Sequence, residues 1–180
     1  MRVLVPLADG FEDIEAVAVI DILRRAGIEV DTVGIIGSMI TSSNGIRVMA
    51  DKKIDEIDIT KYNGIILPGG SKGTMNLSKS SKVSEFLKYM NKRGNLIAAI
   101  CAAPSILAKN GLLDDKKATI HPGLESGIPY PRAERVVVDY NVITSQAPGT
   151  SMEFALAIVK YFLGDDTAER LRESLLIQLP

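Results

Sequence analysis

The sequence predicts a single α/β domain in which helices cover both faces of a mostly parallel sheet. Short apolar segments alternate with amphipathic helical segments along the chain, an order typical of parallel sheets. The strand segments are too apolar to leave one face in water, so we expect both faces to be buried. The length of 180 residues fits one domain, and no repeat or long linker divides it. We therefore expect residues 1–180 to form one domain.

Apolar runs closed by polar or glycine residues predict the strands, and helical spacing of apolar residues predicts the helices. In the first helix, for example, Ala18, Val19, Ile22 and Leu23 share one face. The predicted strands are 2–7, 29–36, 47–50, 64–67, 96–101, 118–120, 135–139 and 141–145. The predicted helices are 12–26, 80–92, 103–112, 150–162 and 166–177, the fourth opened by a capping box of Thr150 and Glu153.

Composition excludes several classes of protein. Hydrophobic residues make up 46% and charged residues 24%, which is not the composition of a disordered chain. The net charge of −1 gives no basic surface for nucleic acid. One cysteine and one histidine exclude a disulfide framework and an ordinary structural zinc site. No export signal or membrane-spanning run is recognisable, so we expect a cytoplasmic protein without a membrane partner.

The glycine-rich loops do not predict a nucleotide site. The segment GGSKGT at 69–74 has glycine after Lys72, where a P-loop needs serine or threonine. The turn after the first strand carries Glu12, Asp13 and Glu15, which would repel a pyrophosphate. No cofactor is expected.

Cys101 lies where a strand meets a helix, in the segment AAICAAP. Small residues two places before and after it are typical of a nucleophile elbow, which aims the reactive side chain out of the sheet. A helix N-terminus beside the sulfur is expected to lower the thiol pKa. The alternative is that Cys101 is a small hydrophobe in a buried strand.

Glu15 lies on the apolar face of the first predicted helix, three and four residues before Ala18 and Val19. Burial raises the pKa of a carboxyl, so a protonated Glu15 could bond a thiolate or move a proton. The alternative is a partly exposed residue at the helix start.

His121 and the turn at 68–70 complete the candidate residues. His121 is the only histidine and could be a base for Cys101, or it could be structural. The N–H groups of Gly70 and Ala102 could face an oxyanion, or 68–70 could be only a tight turn.

These residues, in this order, resemble the ThiJ/PfpI superfamily, which has the class I glutamine-amidotransferase-like fold, in the branch of the parkinsonism-associated protein deglycase. The matching segments are GFEDIE at 10–15, LPGG at 67–70, AAICA at 98–102, HP at 121–122 and PGTSMEF at 148–154. The resemblance implies a flavodoxin-like sandwich and a homodimer with the site near the subunit interface.

The resemblance also implies roles for individual residues. Cys101 matches the nucleophile and oxidation-sensitive thiol, Glu15 the protonated glutamate beside it, and His121 the nearby histidine. Gly70 and Ala102 match the backbone donors, and the residues that would line the site are Gly69, Asn44, Gln146 and Pro148. The implied activity is cofactor-free conversion of methylglyoxal or glyoxal to a hydroxy acid, or removal of their early adducts from Cys, Lys and Arg.

Residues at which this sequence differs from related families limit the activities that the resemblance implies. Ala102 stands where the peptidase branch has a histidine after its cysteine, which disfavours proteolysis, and no histidine follows His121 to complete an amidotransferase triad. Asn44 and Gln146 stand where the animal deglycase has anion-binding arginines, which favours small neutral aldehydes. A redox sensor or chaperone acting through oxidation of Cys101 remains the main alternative, and an intracellular cysteine peptidase a weaker one.

Overall fold

The computed structural model of the protein describes residues 1–178. Seven strands form one sheet in the order β5-β2-β1-β6-β7-β9-β8, and β3 and β4 form a separate hairpin. The strands are β1 (Arg2–Leu7), β2 (Glu29–Gly34), β3 (Met39–Thr41), β4 (Arg47–Met49), β5 (Lys52–Lys53), β6 (Gly64–Leu67), β7 (Leu96–Ile100), β8 (Val136–Asp139) and β9 (Val142–Ser145).

Neighbouring strands of the large sheet pair in parallel, except for β8 and β9, which form an antiparallel hairpin at one edge. Helices cover both faces: α1 (Asp13–Arg25), α2 (Ser71–Lys79), α3 (Ser81–Arg93), α4 (Pro104–Lys109), α5 (Ser151–Leu163) and α6 (Asp165–Ser174). This arrangement confirms the predicted fold class.

The two faces of the sheet have separate apolar cores. Val3, Val5 and Leu7 of β1 pack with α1, α5 and α6, whereas Leu4 belongs to the core formed with α2, α3 and α4. Successive side chains of a strand point to opposite faces, so each apolar strand contributes side chains to both cores. This explains why the strand segments show no polar alternation.

Two local predictions were wrong, and three elements, β3, β5 and α2, were not predicted. Residues 118–120 form no strand: Ala118 makes a single bridge to Pro131. Thr150 does precede α5, but its side chain bonds the Ala147 carbonyl and the Ser145 hydroxyl instead of capping the helix.

The chain order places a crevice at the centre of the sheet. From β1 the chain first adds β2 on one side, and later β6 and β7 on the other. Ligand sites of open α/β sheets form at such switch points, beyond the carboxyl ends of the strands. Within residues 1–178, no helix is both long and apolar enough to cross a bilayer.

Candidate active site

Cys101 directly follows β7 and adopts a strained backbone conformation. Its φ of 63° lies in the left-handed region, which is uncommon for a residue with a Cβ. The Cys101 N–H donates to the Ser145 carbonyl at 2.9 Å, and the Cys101 carbonyl accepts from the His121 N–H at 2.9 Å. Hydrogen bonds on both sides therefore hold the turn, and strain of this kind is concentrated at functional sites.

Glu15 is in the first turn of α1 and is fully buried, with 0% of its surface exposed. Its Oε2 accepts the Gly69 N–H at 2.8 Å. Among the described residues, Oε1 has no nitrogen or oxygen partner, and no Lys or Arg forms an ion pair with this carboxyl. The expected burial of Glu15 is confirmed.

Glu15 and Cys101 meet over Gly69. A Cβ on Gly69 would lie 2.6 Å from Glu15 Oε2, 2.7 Å from the Cys101 Cβ and 2.9 Å from the Ile100 carbonyl oxygen. Contacts this short leave no space for any side chain. The absence of a side chain at position 69 is therefore what lets the carboxyl and the thiol come together.

The two groups titrate as a pair. Burial raises the pKa of Glu15 to about 7, although hydrogen bonds with Cys101 and Gly69 act in the opposite direction. Burial, together with the negative charge of Glu15, raises the pKa of Cys101 to about 12. Because the two groups interact, the two pKa values describe the pair rather than each residue alone. Between about pH 7 and about pH 12 the pair therefore holds one proton.

The expected lowering of the Cys101 pKa is wrong, for two structural reasons. The helix begins at Pro104, three residues beyond the cysteine, and spans six residues, so its dipole is small and displaced from the sulfur. Burial of the thiol and, after it, the charge of the Glu15 carboxylate instead disfavour a negative charge on the sulfur. Neither effect is visible in the sequence.

Two backbone donors face the sulfur and favour its charged form. The backbone N–H groups of Gly70 and Ala102 are close enough to the Cys101 sulfur to lower the pKa of the thiol. Gly70 has a φ of 88°, and a Cβ there would lie 2.4 Å from the Gly10 carbonyl oxygen. The turn after β6 therefore needs glycine at position 70, both for its backbone conformation and for its close packing.

His121 is near Cys101 through its backbone. Its N–H donates to the Cys101 carbonyl, while its ring Nδ1 lies 2.9 Å from the Pro122 carbonyl oxygen. Because a carbonyl oxygen accepts hydrogen bonds, Nδ1 carries the ring proton and bonds the ring to its own loop. The imidazole Nε2 is left as the nitrogen available to another group.

The other predicted lining residues are held by local contacts. The Asn44 amide donates to Asp13 Oδ2 at 2.7 Å, and the Gln146 amide donates to the Ala133 carbonyl at 2.9 Å. Pro148 opens the 3₁₀ turn that leads into α5. The structure thus brings Cys101, Glu15, Gly69, Gly70 and Ala102 together, and it gives Asn44 and Gln146 partners outside that group.

The sequence analysis missed the start of α2. Ser71 and Lys72 line a cavity of about 610 Å³ together with Gly70 and Glu12. Their place directly after the Gly69-Gly70 turn was the available signal, but the helix itself was not predicted. Within residues 1–178, no three His, Cys, Asp or Glu side chains are grouped to hold a metal ion.

Comparisons with known proteins identify the family of this chain. The model of the DJ-1/PfpI family matches residues 1–161. The Parkinson disease protein 7 homolog of Danio rerio is 40% identical over 184 residues, covering 98% of this chain and 97% of that protein. The glutathione-independent glyoxalase DJR-1.2 of Caenorhabditis elegans is 33% identical, covering 96% of this chain and 94% of that protein.

The oxidized DJ-1 of Toxoplasma gondii has the same fold, with a TM-score of 0.96, 36% identity and 99% of both chains covered. Some relatives are longer: the chain spans 41% of the length of the Arabidopsis thaliana protein DJ-1 homolog B, with which it is 39% identical over 98% of its own length. The family model and the full-length relatives establish that this chain belongs to the DJ-1/PfpI family.

Proposed function

We propose that the protein is a cofactor-free glyoxalase or deglycase that acts on methylglyoxal, glyoxal or their early adducts. The observation that carries the proposal is a buried carboxyl beside a strained cysteine, with no cationic partner for the carboxyl among residues 1–178. Because burial brings the pKa of Glu15 to about 7, this carboxyl can both give and take a proton near neutral pH. A similar protein of Caenorhabditis elegans is named a glutathione-independent glyoxalase.

Between about pH 7 and about pH 12 the proton of the pair is mainly on the sulfur. The reaction begins when this proton passes to Glu15, which leaves the negative charge on the sulfur. The Gly70 and Ala102 N–H groups favour this form. The thiolate attacks the aldehyde carbon, a C–S bond forms, and Glu15 protonates the resulting oxyanion to give a hemithioacetal. Glu15 is then a carboxylate close to the new carbon centre.

The second stage moves one proton between two carbons. The Glu15 carboxylate removes the proton from the former aldehyde carbon, giving an enediolate, and the hydroxyl proton on that carbon passes to the oxygen of the neighbouring carbon. Glu15 then returns its own proton to the neighbouring carbon. The product is a thioester of Cys101 with a 2-hydroxy acid, so the substrate has been isomerised without an external oxidant. Water then cleaves the thioester and releases lactate from methylglyoxal, or glycolate from glyoxal, and the thiol.

The test is lactate formation from methylglyoxal by purified protein without glutathione. We expect no turnover in Cys101→Ala, and a loss of about 10²- to 10⁴-fold in Glu15→Gln, which is the usual contribution of a general acid or base. Glu85→Gln, which removes an exposed carboxylate of α3, is the control and should retain full activity. If the wild-type protein forms no lactate above the buffer rate, the proposal is wrong.

Oxidation of Cys101 is a second candidate function. The sulfur has two backbone N–H donors and a buried carboxyl beside it, groups that would also bond the oxygens of a sulfinate. Peroxide treatment followed by intact-mass measurement tests this, with a gain of two oxygens expected in the wild-type protein. A sensor or chaperone role further requires that oxidation increases protection of an unfolding client while aldehyde turnover is absent.

We also propose that two copies associate through α1 and the β3–β4 hairpin. Five apolar side chains on these elements are more than half exposed: Ile14, Val17, Met39, Ile46 and Met49. The hairpin loop is bonded to the start of α1, since the Ser43 N–H donates to the Phe11 carbonyl and the Asn44 amide to Asp13. An exposed apolar patch of this kind is typical of an interface.

The oligomeric state can be measured by light scattering. Val17→Glu is expected to give a monomer, whereas Val138→Glu, at an equally exposed position on β8, should leave the dimer intact. A monomeric wild-type protein at micromolar concentration would exclude this interface.

A further inference from the structure

A cavity of about 890 Å³ lies between β8, α5 and α6, and its lining contains neither Cys101 nor Glu15. Each of the three elements contributes apolar side chains to its floor: Val136, Val138, Leu156, Ala157 and Ala168. β8 is the edge strand of the sheet, and Val138 on this strand is 56% exposed. A cavity of this volume with an apolar floor is typical of small-molecule sites.

The two cations in the wall of this cavity are already paired. Lys160 forms an ion pair with Asp165. Arg172 donates two hydrogen bonds to the Glu169 carboxylate, at 2.6 and 2.9 Å. An anionic ligand would therefore meet cations whose charge is balanced by carboxylates of the protein itself.

One carboxylate in the wall has no cation beside it. The Glu153 carboxylate lies 2.8 Å from Arg135 Nε, whereas Asp166 forms no ion pair within residues 1–178. Asp166 is in the first turn of α6, where its charge offsets the positive end of the helix dipole. The wall thus carries four carboxylates and two cations, a balance that favours a positively charged ligand.

Tyr161 adds an aromatic surface that suits the same charge. It lines the cavity and is 39% exposed. The face of an aromatic ring attracts an ammonium group. The cavity therefore combines an apolar floor with two features, an aromatic ring and an unpaired carboxylate, that stabilise a cation.

We propose that this cavity binds a small organic cation in which an ammonium group is attached to an aryl or alkyl body. The body packs on Val138 and Leu156, and the ammonium group pairs with Asp166. The site is separate from the proposed chemistry at Cys101, so either proposal can fail without the other.

The test compares three ligands that share one body: phenylbutylamine, phenylbutanol and phenylbutyrate. Binding is followed by chemical-shift titration of isotope-labelled protein at neutral pH, where the amine is protonated. We expect a Kd of about 1 mM or lower for the amine, as is usual for a ligand of this size. The Kd of the alcohol should be about threefold to fivefold higher, the scale of an exposed ion pair, and the butyrate should bind more weakly still.

Two variants locate the site and the charge. Asp166→Asn should raise the Kd of the amine to that of the alcohol and leave the Kd of the alcohol unchanged. Ala157→Leu fills the cavity and should abolish binding of both ligands. Glu173→Gln, which removes a carboxylate of α6 outside the cavity, is the matched control and should change neither Kd.

A third variant guards against poor folding of Ala157→Leu. Val138→Lys adds a cation to the floor at an exposed position, and it should weaken binding of the amine more than binding of the alcohol.

The proposal is overturned if the amine does not bind at about ten times the expected Kd, if the three ligands bind alike, or if Asp166→Asn leaves the preference for the amine intact. A preference for the butyrate would assign an anion to the cavity. A change of oligomeric state in Val138→Lys would assign a second copy of the chain to it, and either result contradicts the proposal.

Discussion

Glu15 and Asp31 are two carboxyls in opposite electrostatic surroundings. Asp31, on β2, has a side chain only 15% exposed and lies 2.7 Å from an Arg2 guanidinium nitrogen and 2.9 Å from Lys52 Nζ. It also accepts the Tyr62 hydroxyl. Glu15 is buried more deeply and has one backbone N–H donor and a thiol beside it, and no cation pairs with it in the described part of the chain.

The consequences for titration are opposite. Burial alone would raise the pKa of Asp31, but the hydrogen bonds from Tyr62 and Lys52 and the charge of Arg2 outweigh it and lower the pKa. At Glu15 burial dominates and the pKa rises to about 7. Asp31 is therefore an anion at neutral pH and holds Arg2, Lys52 and Tyr62 beside β2. Glu15, in contrast, can change its protonation state at neutral pH.

The largest expected effect comes from closing the space between Glu15 and Cys101. Gly69→Ala inserts a methyl group 2.6 Å from Glu15 Oε2 and 2.7 Å from the Cys101 Cβ, so both side chains must move. We expect kcat for methylglyoxal to fall by about 100-fold, the effect of a misplacement near 1 Å, and the free energy of unfolding to fall by about 1–3 kcal/mol. Steady-state kinetics and urea denaturation measure the two effects.

Gly37→Ala is the control for Gly69→Ala, since a Cβ at Gly37 has no atom within 4 Å. It should change neither quantity measurably. Unchanged kcat in Gly69→Ala would contradict the placement of the two reacting groups.

The contributions of the two carboxyls to the free energy of unfolding change with pH in opposite directions. The pKa of Glu15 is raised in the folded state, from 4.5 to about 7, so the folded protein binds the extra proton. Its contribution to the free energy of unfolding should decline as pH rises through this interval, by up to about 3 kcal/mol. Urea denaturation at pH 4.5–8 should show this decline in wild type but not in Glu15→Gln.

For Asp31 the folded pKa is lowered from 3.8, so its stabilising contribution is present above pH 3.8 and is lost as pH falls below it. Parallel curves for wild type and Glu15→Gln would rule out a raised Glu15 pKa.

Asp31→Asn should lower the free energy of unfolding and should not change catalytic turnover. Removing this anion weakens charge-assisted hydrogen bonds with Arg2, Lys52 and Tyr62, at a cost of about 2 kcal/mol in the free energy of unfolding. Turnover of methylglyoxal should be unchanged at 25 °C. The matched control is Asp21→Asn, which removes an exposed pair with Arg25 and should cost at most about 0.5 kcal/mol.

The smallest effect concerns a buried polar atom with no partner and no proposed role. The Thr119 hydroxyl has no hydrogen-bond partner among the described residues, and Thr119 is 0% exposed. Thr119→Val should increase the free energy of unfolding by about 1 kcal/mol, because it removes an unsatisfied polar group. Thermal unfolding followed by circular dichroism measures this, and a lower Tm in the variant would show that the hydroxyl is bonded in solution.

The strands β1 and β6 near the site were predictable because the composition and length of their segments favour a buried strand. β1 and β6 have the predicted bounds, since their segments are mostly apolar, are followed by turn residues and are too short for a buried helix. Burial of Glu15 was predicted for a similar reason, from its spacing to Ala18 and Val19 on one helix face.

Features that depend on tertiary contacts were not predictable. α2 contains Gly73, a poor helix former, but Gly73 packs so closely on Gly10 and Phe11 that a Cβ would lie 2.8 Å from the Gly10 carbonyl oxygen. Residues 118–120 resemble a strand because Ala118 and Ile120 are apolar, and all three residues are buried. However, the Thr119 N–H bonds the Thr144 hydroxyl rather than a strand backbone.

The backbone contacts around Gly69 and Gly70 also have a consequence for folding kinetics. Glu12 N–H donates to the Gly69 carbonyl, Gly73 N–H donates to the Gly10 carbonyl, and Cys101 N–H donates to the Ser145 carbonyl. These contacts join segments separated by dozens of residues, and long-range contacts form late. Under the proposed function, recovery of methylglyoxal turnover during refolding should therefore coincide with the slowest phase, so that turnover reports complete folding of the chain.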